Sequence, residues 1–327
     1  MENKRVLVTG GSGFIPSHLV RRLVNSGADV AIITKYNSVF DNVRLSDVWS
    51  KIKVIEADIR NQDSLKQIKN FEPELIYHMA AYNHVGDSFT HVAESMDVNG
   101  KGTANVIEAY DNYEKFVYIS TSEVYGYQEK VPFEEDAYPN PISPYSVGKY
   151  SGELYCRMKM RMNKLPIAVI RPFNTFGPYQ SMRAIIPELI IKCLNGEEIK
   201  TTEGKQTREF NYVSNIVDGL VLAGEKKASV GKVINLGSGV EIPIKELVLK
   251  IHKLTSSKSE LKIGALDYRP TEIWRMSASN SRAKEFLGWT PKIDFETGLI
   301  NAINWCKKYI EVYEHPNSTL NQLTKHV

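Results

Sequence analysis

Residues Val8–Val20 read VTGGSGFIPSHLV, and the reading of this stretch decides the fold. The β-branched run RVLVT leads into it. Beyond it, apolar residues recur at helical spacing through Leu19, Val20 and Leu23 and stop at Gly27. A strand that passes through a glycine turn into a helix aims free backbone N–H groups and the positive helix end at one place. That arrangement holds the phosphates of a dinucleotide. Gly10 permits the tight bend, Gly13 lets the backbone approach a pyrophosphate, and Phe14 and Ile15 open the helix. The anomaly is Pro16, which stands where such a turn has its third glycine. Proline removes an N–H that has no helical partner in the first turn, and its fixed φ suits that turn. The third glycine serves helix–strand packing, so the expected cost is bulk against the strand, and the anion site survives.

The same rhythm continues outward from the turn. DVAIIT (29–34), KVIEAD (53–58), LIYHMA (75–80), FVYIST (116–121) and the core of KLPIAVIRPFN (164–174) read as strands. Helices are expected over 63–70 and 98–110. Strands alternating with helices predict an α/β fold built on a doubly wound, Rossmann-like parallel sheet. After residue 171 the rhythm loosens, Pro and Gly become frequent, and helices are expected at 182–195, 243–255 and 280–287. The resulting division is a dinucleotide-binding domain over 1–171 and a smaller α/β substrate-binding lobe over 172–327. Later strands near 211–237, such as KVINLG, are expected to rejoin the main sheet. The polar tail beyond Tyr313 is expected to be mobile.

Bulk composition narrows the class. A chain of 327 residues, 42% of them hydrophobic, can bury a large core. A net charge of +3, scattered along the chain, argues against a nucleic-acid or membrane-surface partner. Cys156, Cys193 and Cys306 lie far apart without metal-ligand spacing, as small buried hydrophobes of a reducing compartment do. No metal is expected. A strand begins within a few residues of the N-terminus, which leaves no room for a signal peptide. No apolar run approaches the roughly 20 residues of a membrane helix. A cytoplasmic protein is expected.

The second strand ends at Thr34-Lys35, where a turn selective for NAD offers an acid to the ribose hydroxyls. Lys35 would instead meet a 2′-phosphate, which leans toward NADP, or it is an ordinary surface lysine; NAD and NADP both stay open. Asp58, with Ile59 after the third strand, is a candidate partner for the adenine ring, and Ala80 after the fourth strand a candidate cofactor contact.

Tyr145 and Lys149, in PYSVGKY, are four residues apart and share one face of a helix. A lysine ammonium near a phenol favours the phenolate and brings its pKa from about 10 toward neutrality. Such a tyrosine takes a proton from a substrate hydroxyl while hydride leaves the same carbon. The pair follows a strand that ends in S-T-S, in a chain that already has the dinucleotide turn.

With these pieces in order, the chain resembles the extended short-chain dehydrogenases/reductases of the nucleotide-sugar epimerase and dehydratase family. The likeness runs from Arg5 to about Pro291. It includes HMAAYNHVGDSF, VNGKGTANVIEA, RPFNTFGP, QTREFNYV, NLGSG, RPTEIWRM and LGWTP. Pro16 and the missing acid at 34–35 depart from the family pattern. The resemblance implies a cofactor lobe with Tyr145 and Lys149, a smaller lobe gripping a nucleoside-diphosphate sugar, and pairing through two helices per subunit into a homodimer or a dimer of dimers. It places Thr121 beside Tyr145 at the sugar's C4 oxygen. It assigns Arg208 and Arg269 to the diphosphate, Asn174 to the phosphate-loop segment, and His84 and Ser88 to the sugar pocket. Tyr82 and Tyr179 are weaker candidates of the same kind. Arg171 is either a further phosphate ligand or a structural ion-pair partner.

The chemistry turns on residues 121–123. Glu123 offers a carboxylate above the sugar ring, where simple 4-epimerases have a residue that does not ionise. Once C4 is a ketone the C5 proton is acidic, and a carboxylate can remove it so that water leaves from C6. Ser122 stands where many dehydratases place a second acid, and the Thr-Ser-Glu run resembles GDP-mannose dehydratases. The leading expectation is therefore a nucleotide-sugar 4,6-dehydratase with catalytic residues Thr121, Ser122, Glu123, Tyr145 and Lys149. C4 epimerisation or C4 dehydrogenation is the alternative. Decarboxylation of a sugar acid also stays open, since those enzymes carry a serine-glutamate pair and a similar RPFNTFGP. A non-catalytic dinucleotide-binding regulator of the same fold is the alternative outside enzymes.

Overall fold

The computed structural model describes residues 1–35, 42–268 and 272–309. Arg269 and the polar tail beyond Tyr313 lie outside them. In chain order the elements that position the site are β1 (Arg5–Thr9), α1 (Phe14–Asn25), β2 (Asp29–Thr34), β3 (Ile52–Glu56) and β4 (Leu75–His78). Next come α2 (Gly102–Ala109), β5 (Lys115–Ile119), α3 (Pro144–Met162), β6 (Ile167–Pro172) and α4 (Ile185–Asn195). The last are α5 (Val213–Glu225), β7 (Val233–Leu236), α6 (Ile244–Leu254) and α7 (Phe295–Lys308).

The seven strands form one parallel sheet in the order β3-β2-β1-β4-β5-β6-β7. Helices cover both faces, so the inner strands are apolar nearly throughout; every residue of β5 is buried. Alternate residues still go to opposite sides. Val6, Val8, Val30 and Ile32 pack with α1 and α5, while Leu7, Ala31 and Ile33 pack with α2 and α3. A separate core, with Ile190, Leu247, Ile251, Leu299 and Ile303, joins α4, α6 and α7. Emptying one such position, as in Ile32→Ala, costs about 2–5 kcal/mol.

Between β1 and β4 the winding direction reverses, which opens a crevice at the carboxyl ends of the strands. Two helices then matter for function. α1 runs unbroken through Pro16, its N-cap the extended Gly13. α3 starts at a capping box in which Ser143 and Ser146 exchange hydrogen bonds at 3.1 Å, with Pro144 in the first turn. That fixes where Tyr145 stands. α3 also lies close on the sheet: a Cβ on Gly152 would fall 2.6 Å from Tyr118 Oη and 2.8 Å from the Asn99 carbonyl. Only glycine lets the backbone come so near.

Candidate active site

A cavity of about 510 Å³ occupies the crevice. The Gly10–Pro16 turn, Lys35, Ala57, Ile59, Ala80, Tyr82, Thr121, Ser122, Glu123, Tyr145, Lys149 and Asn174 all contribute to its walls. Residues widely separated in the chain meet here because each ends a neighbouring strand or begins the helix that follows.

The turn is pre-formed. Gly10 adopts φ +66°, its N–H donates to the Ile33 carbonyl, and Gly13 N–H donates to the Gly10 carbonyl. A Cβ on Gly10 would lie 2.8 Å from Ala80 Cα, so β1 and β4 close on each other at this point. Phe14 and Ile15 supply the first-turn N–H groups, which have no acceptor within the helix. This cradle fits a dinucleotide pyrophosphate.

At the other cofactor wall, Lys35 is half exposed and its Nζ lies 3.7 Å from Glu94 Oε1. Asp58 does not reach the cavity. Its carboxylate is gripped by Arg60 at 2.5 Å, which holds it below the usual carboxylate range. Arg60 also approaches Glu94, at 3.3 Å, so Lys35 at the wall is tied into a network of two cations and two anions behind it. Glu94 carried no signal of its own in the sequence.

The reacting end gathers Thr121, Glu123, Tyr145 and Lys149. Thr121 Oγ1 accepts Glu123 N–H at 3.2 Å, and the Tyr145 hydroxyl is hydrogen-bonded to Thr121. Ser122 is buried and turns its hydroxyl toward Met276 Sδ, 3.7 Å away. Lys149 is 2% exposed, and burial drives its ammonium down to about 7. The Tyr145 phenol moves the opposite way from the sequence expectation. Burial pushes it up to about 12 and Glu123 adds to the rise, while Thr121 opposes it. Desolvation outweighs the neighbouring hydrogen bond, so without further positive charge the phenol keeps its proton.

Several candidate ligands are engaged elsewhere. His84 caps the short helix Val85–Ser88, its Nδ1 accepting Asp87 N–H at 3.1 Å, and the Ser88 hydroxyl donates to the Val85 carbonyl at 2.6 Å. Arg208 pairs with Glu272 at 2.6 Å and donates to the Ile273 and Thr207 carbonyls. Asn174 stays in the cavity wall, its carbonyl accepting Asn211 N–H. Tyr179 packs on Trp305 and under Arg21. Arg171 is a buried ion-pair partner: its guanidinium binds Glu153 at 2.5 Å. All three cysteines are free and buried. Among the described residues there is no cluster of three or more His, Cys, Asp or Glu able to hold a metal, and no helix is long and apolar enough to cross a membrane.

The family model described as GDP-mannose 4,6 dehydratase matches residues 7–301. The chain is 30% identical to dTDP-D-glucose 4,6-dehydratase of Bos taurus, over 97% of this chain and 92% of the relative. It is also 30% identical to UDP-N-acetyl-alpha-D-glucosaminuronate decarboxylase of Bacillus cytotoxicus, over 93% of this chain and 98% of the relative. Among solved structures, UDP-glucuronic acid 4-epimerase from Bacillus cereus, in complex with UDP-glucuronic acid and NAD, superposes with a TM-score of 0.85 at 30% identity. That match covers 93% of this chain and 99% of the epimerase. Three reactions are thus represented at one level of similarity. The chain belongs to the GDP-mannose 4,6-dehydratase family, within the nucleotide-sugar dehydratases and epimerases of the extended short-chain dehydrogenases/reductases.

Proposed function

We propose that the protein is an NAD(P)-dependent nucleotide-sugar 4,6-dehydratase. The observation that carries the reading is a carboxylate, Glu123, in the wall of one cavity with Thr121 and Tyr145. The glycine turn and first-turn N–H groups of α1 would hold the pyrophosphate, with Ile59 and Ala80 against the adenosine half. Bound NAD(P) would supply the hydride acceptor for C4 and the donor for C6. Thr121 orients the C4 hydroxyl and Tyr145 takes its proton, with the Lys149 ammonium favouring the phenolate. Glu123 then removes the C5 proton, made acidic by the C4 ketone. With Ser122 facing Met276, Glu123 is also the group placed to hand that proton to the departing C6 oxygen.

The substrate is a nucleoside-diphosphate sugar, gripped from the second lobe over 172–327. Asn174 reaches the cavity as it stands, whereas Arg208 must leave Glu272 to reach a diphosphate. For the subunits we read a homodimer or a dimer of dimers. Val147, Leu154, Met158 and Met162 are exposed along one face of α3, an apolar stripe suited to a second copy.

Mass spectrometry of products from a panel of UDP-, GDP-, CDP- and dTDP-sugars tests the reading. Loss of water is the expected result. An unchanged mass would replace dehydration with epimerisation, and loss of carbon dioxide would replace it with decarboxylation.

A further inference from the structure

Beneath the reacting groups lies a buried ion pair that the proposed chemistry does not use. Glu153 follows Lys149 by one helical turn on α3 and is fully buried. Its carboxylate accepts from Arg171 Nη2 at 2.5 Å, from Arg171 Nε at 3.0 Å and from Ser120 Oγ at 3.0 Å. Ser120 immediately precedes Thr121, and Arg171 stands near the end of β6, just before the cavity residues Pro172 to Asn174. One carboxylate therefore ties together the three segments that carry Thr121, the Tyr145–Lys149 pair and Asn174. Burying both ions costs several kcal/mol each in desolvation, and apolar pairs of similar volume commonly serve stability as well or better. Stability alone is a poor reason for this pair.

We propose that Glu153 is a positioning residue for the reaction: a fixed anion, clamped by Ser120 and Arg171, that keeps the Lys149 ammonium charged so that it can stabilise the Tyr145 phenolate. The inference rests on Tyr145 and Lys149 being the acid–base pair. Lys149 needs such an anion. Burial lowers its ammonium, and Cys156 and Glu153 are the groups that act upward on it. Burial pushes the Cys156 thiol up so far that it is neutral at working pH, which leaves Glu153. The other groups around Lys149 do not replace it. The Tyr118 ring on β5 lies 4.6 Å from Nζ, and its hydroxyl donates to the Lys149 carbonyl. Burial keeps His78 on β4 neutral, Arg171 on β6 carries the wrong sign, and Glu123 acts on Tyr145. A lysine that has lost its proton contributes nothing to a phenolate.

The test is a pH titration of Tyr145 in the cofactor-bound protein, read as the ultraviolet difference between each parent and its Tyr145→Phe counterpart. It needs no substrate, so a failure to turn over any nucleotide sugar would sink the activity reading and leave this test intact. In Glu153→Gln the midpoint should rise by about one unit. In Arg171→Lys, which breaks the paired contact but keeps both charges, it should not rise. The double variant Glu153→Leu/Arg171→Met guards against misfolding, since an apolar pair is tolerated there. Its unfolding temperature should match the parent's while its midpoint rises. A parental midpoint in the double variant, or equal rises in Glu153→Gln and Arg171→Lys, would overturn the proposal and leave the pair a structural brace.

Discussion

Pro16 closes directly over Gly13. A Cβ on Gly13 would lie 3.1 Å from Pro16 Cγ and 3.2 Å from the Gly10 carbonyl oxygen, while α1 continues unbroken through the proline. The unusual proline therefore leaves the anion cradle intact and crowds any Cβ at the glycine three residues earlier.

Gly13→Ala should weaken cofactor binding on the order of tenfold, about 1.4 kcal/mol. Pro16→Gly should leave affinity nearly unchanged, because the N–H donors lie before residue 16. The double variant should recover part of the Gly13→Ala loss as the proline contact is relieved. Fluorescence titration with NAD and NADP measures all three. A large gain in affinity for Pro16→Gly would show that the proline does impair the site.

Tyr145→Phe should lower turnover by about 10²–10⁴-fold while cofactor affinity stays near the parent value. Only the proton acceptor is lost, since the ring keeps its packing. Steady-state kinetics beside a binding titration separate the two effects. Near-normal turnover would remove Tyr145 from the role of base.

Glu123→Gln divides dehydration from epimerisation. Glutamine keeps the shape but cannot take the C5 proton, whereas C4 oxidation rests on Tyr145 and Lys149. Substrate should then produce a single-turnover rise in reduced-cofactor absorbance and little 4-keto-6-deoxy product. Parental turnover without accumulated reduced cofactor would instead favour C4 epimerisation or oxidation.

Lys35→Ala should weaken NADP by about tenfold and NAD much less, if the ammonium leaves Glu94 for a 2′-phosphate. Glu94 loses one of its two cations when Lys35 is removed, so the double variant Lys35→Ala/Glu94→Gln isolates the lysine's own contribution. Calorimetric titration of both cofactors reads the difference. Equal losses for NAD and NADP would end the case for a 2′-phosphate contact.

Much of the fold was legible in the chain for one physical reason. Strands covered by helices on both faces must be apolar nearly throughout, so β1, β2, β4, β5 and β6 stand out as short runs between helical periods. β7 belongs to the same sheet and pairs with β6. The later helices α5 and α7 went unremarked in the sequence because their apolar faces sit among Pro- and Gly-rich turns that blur the period. α5 packs against the core of the main sheet, although it falls late in the chain.

The site divides along similar lines. Short-range geometry marked the glycine turn and the Tyr145–Lys149 pair, once the strand before and helix after the turn, and the strand ending S-T-S before the pair, were read with the spacing. Glu153 repeats that spacing one turn further on. Its significance stayed hidden because its partners come from distant segments, Ser120 from just past β5 and Arg171 from β6. Position after the third strand pointed to Asp58, and the family resemblance to His84, Ser88 and Arg208, yet Asp58, His84 and Ser88 are engaged by near neighbours in the chain and Arg208 by Glu272.

The sequence by itself determined a parallel doubly wound sheet, a phosphate cradle and the helical face that carries the tyrosine and lysine. Each follows from periodicity and backbone stereochemistry within a few turns of chain. Tertiary structure alone decided which charges are free to act. Arg171 is neutralised beneath the site, Arg208 is held by Glu272, Ser122 is turned to Met276, and Tyr145 is raised by burial. A side chain's charge and reach depend on desolvation and on partners that only the folded chain brings within hydrogen-bond distance.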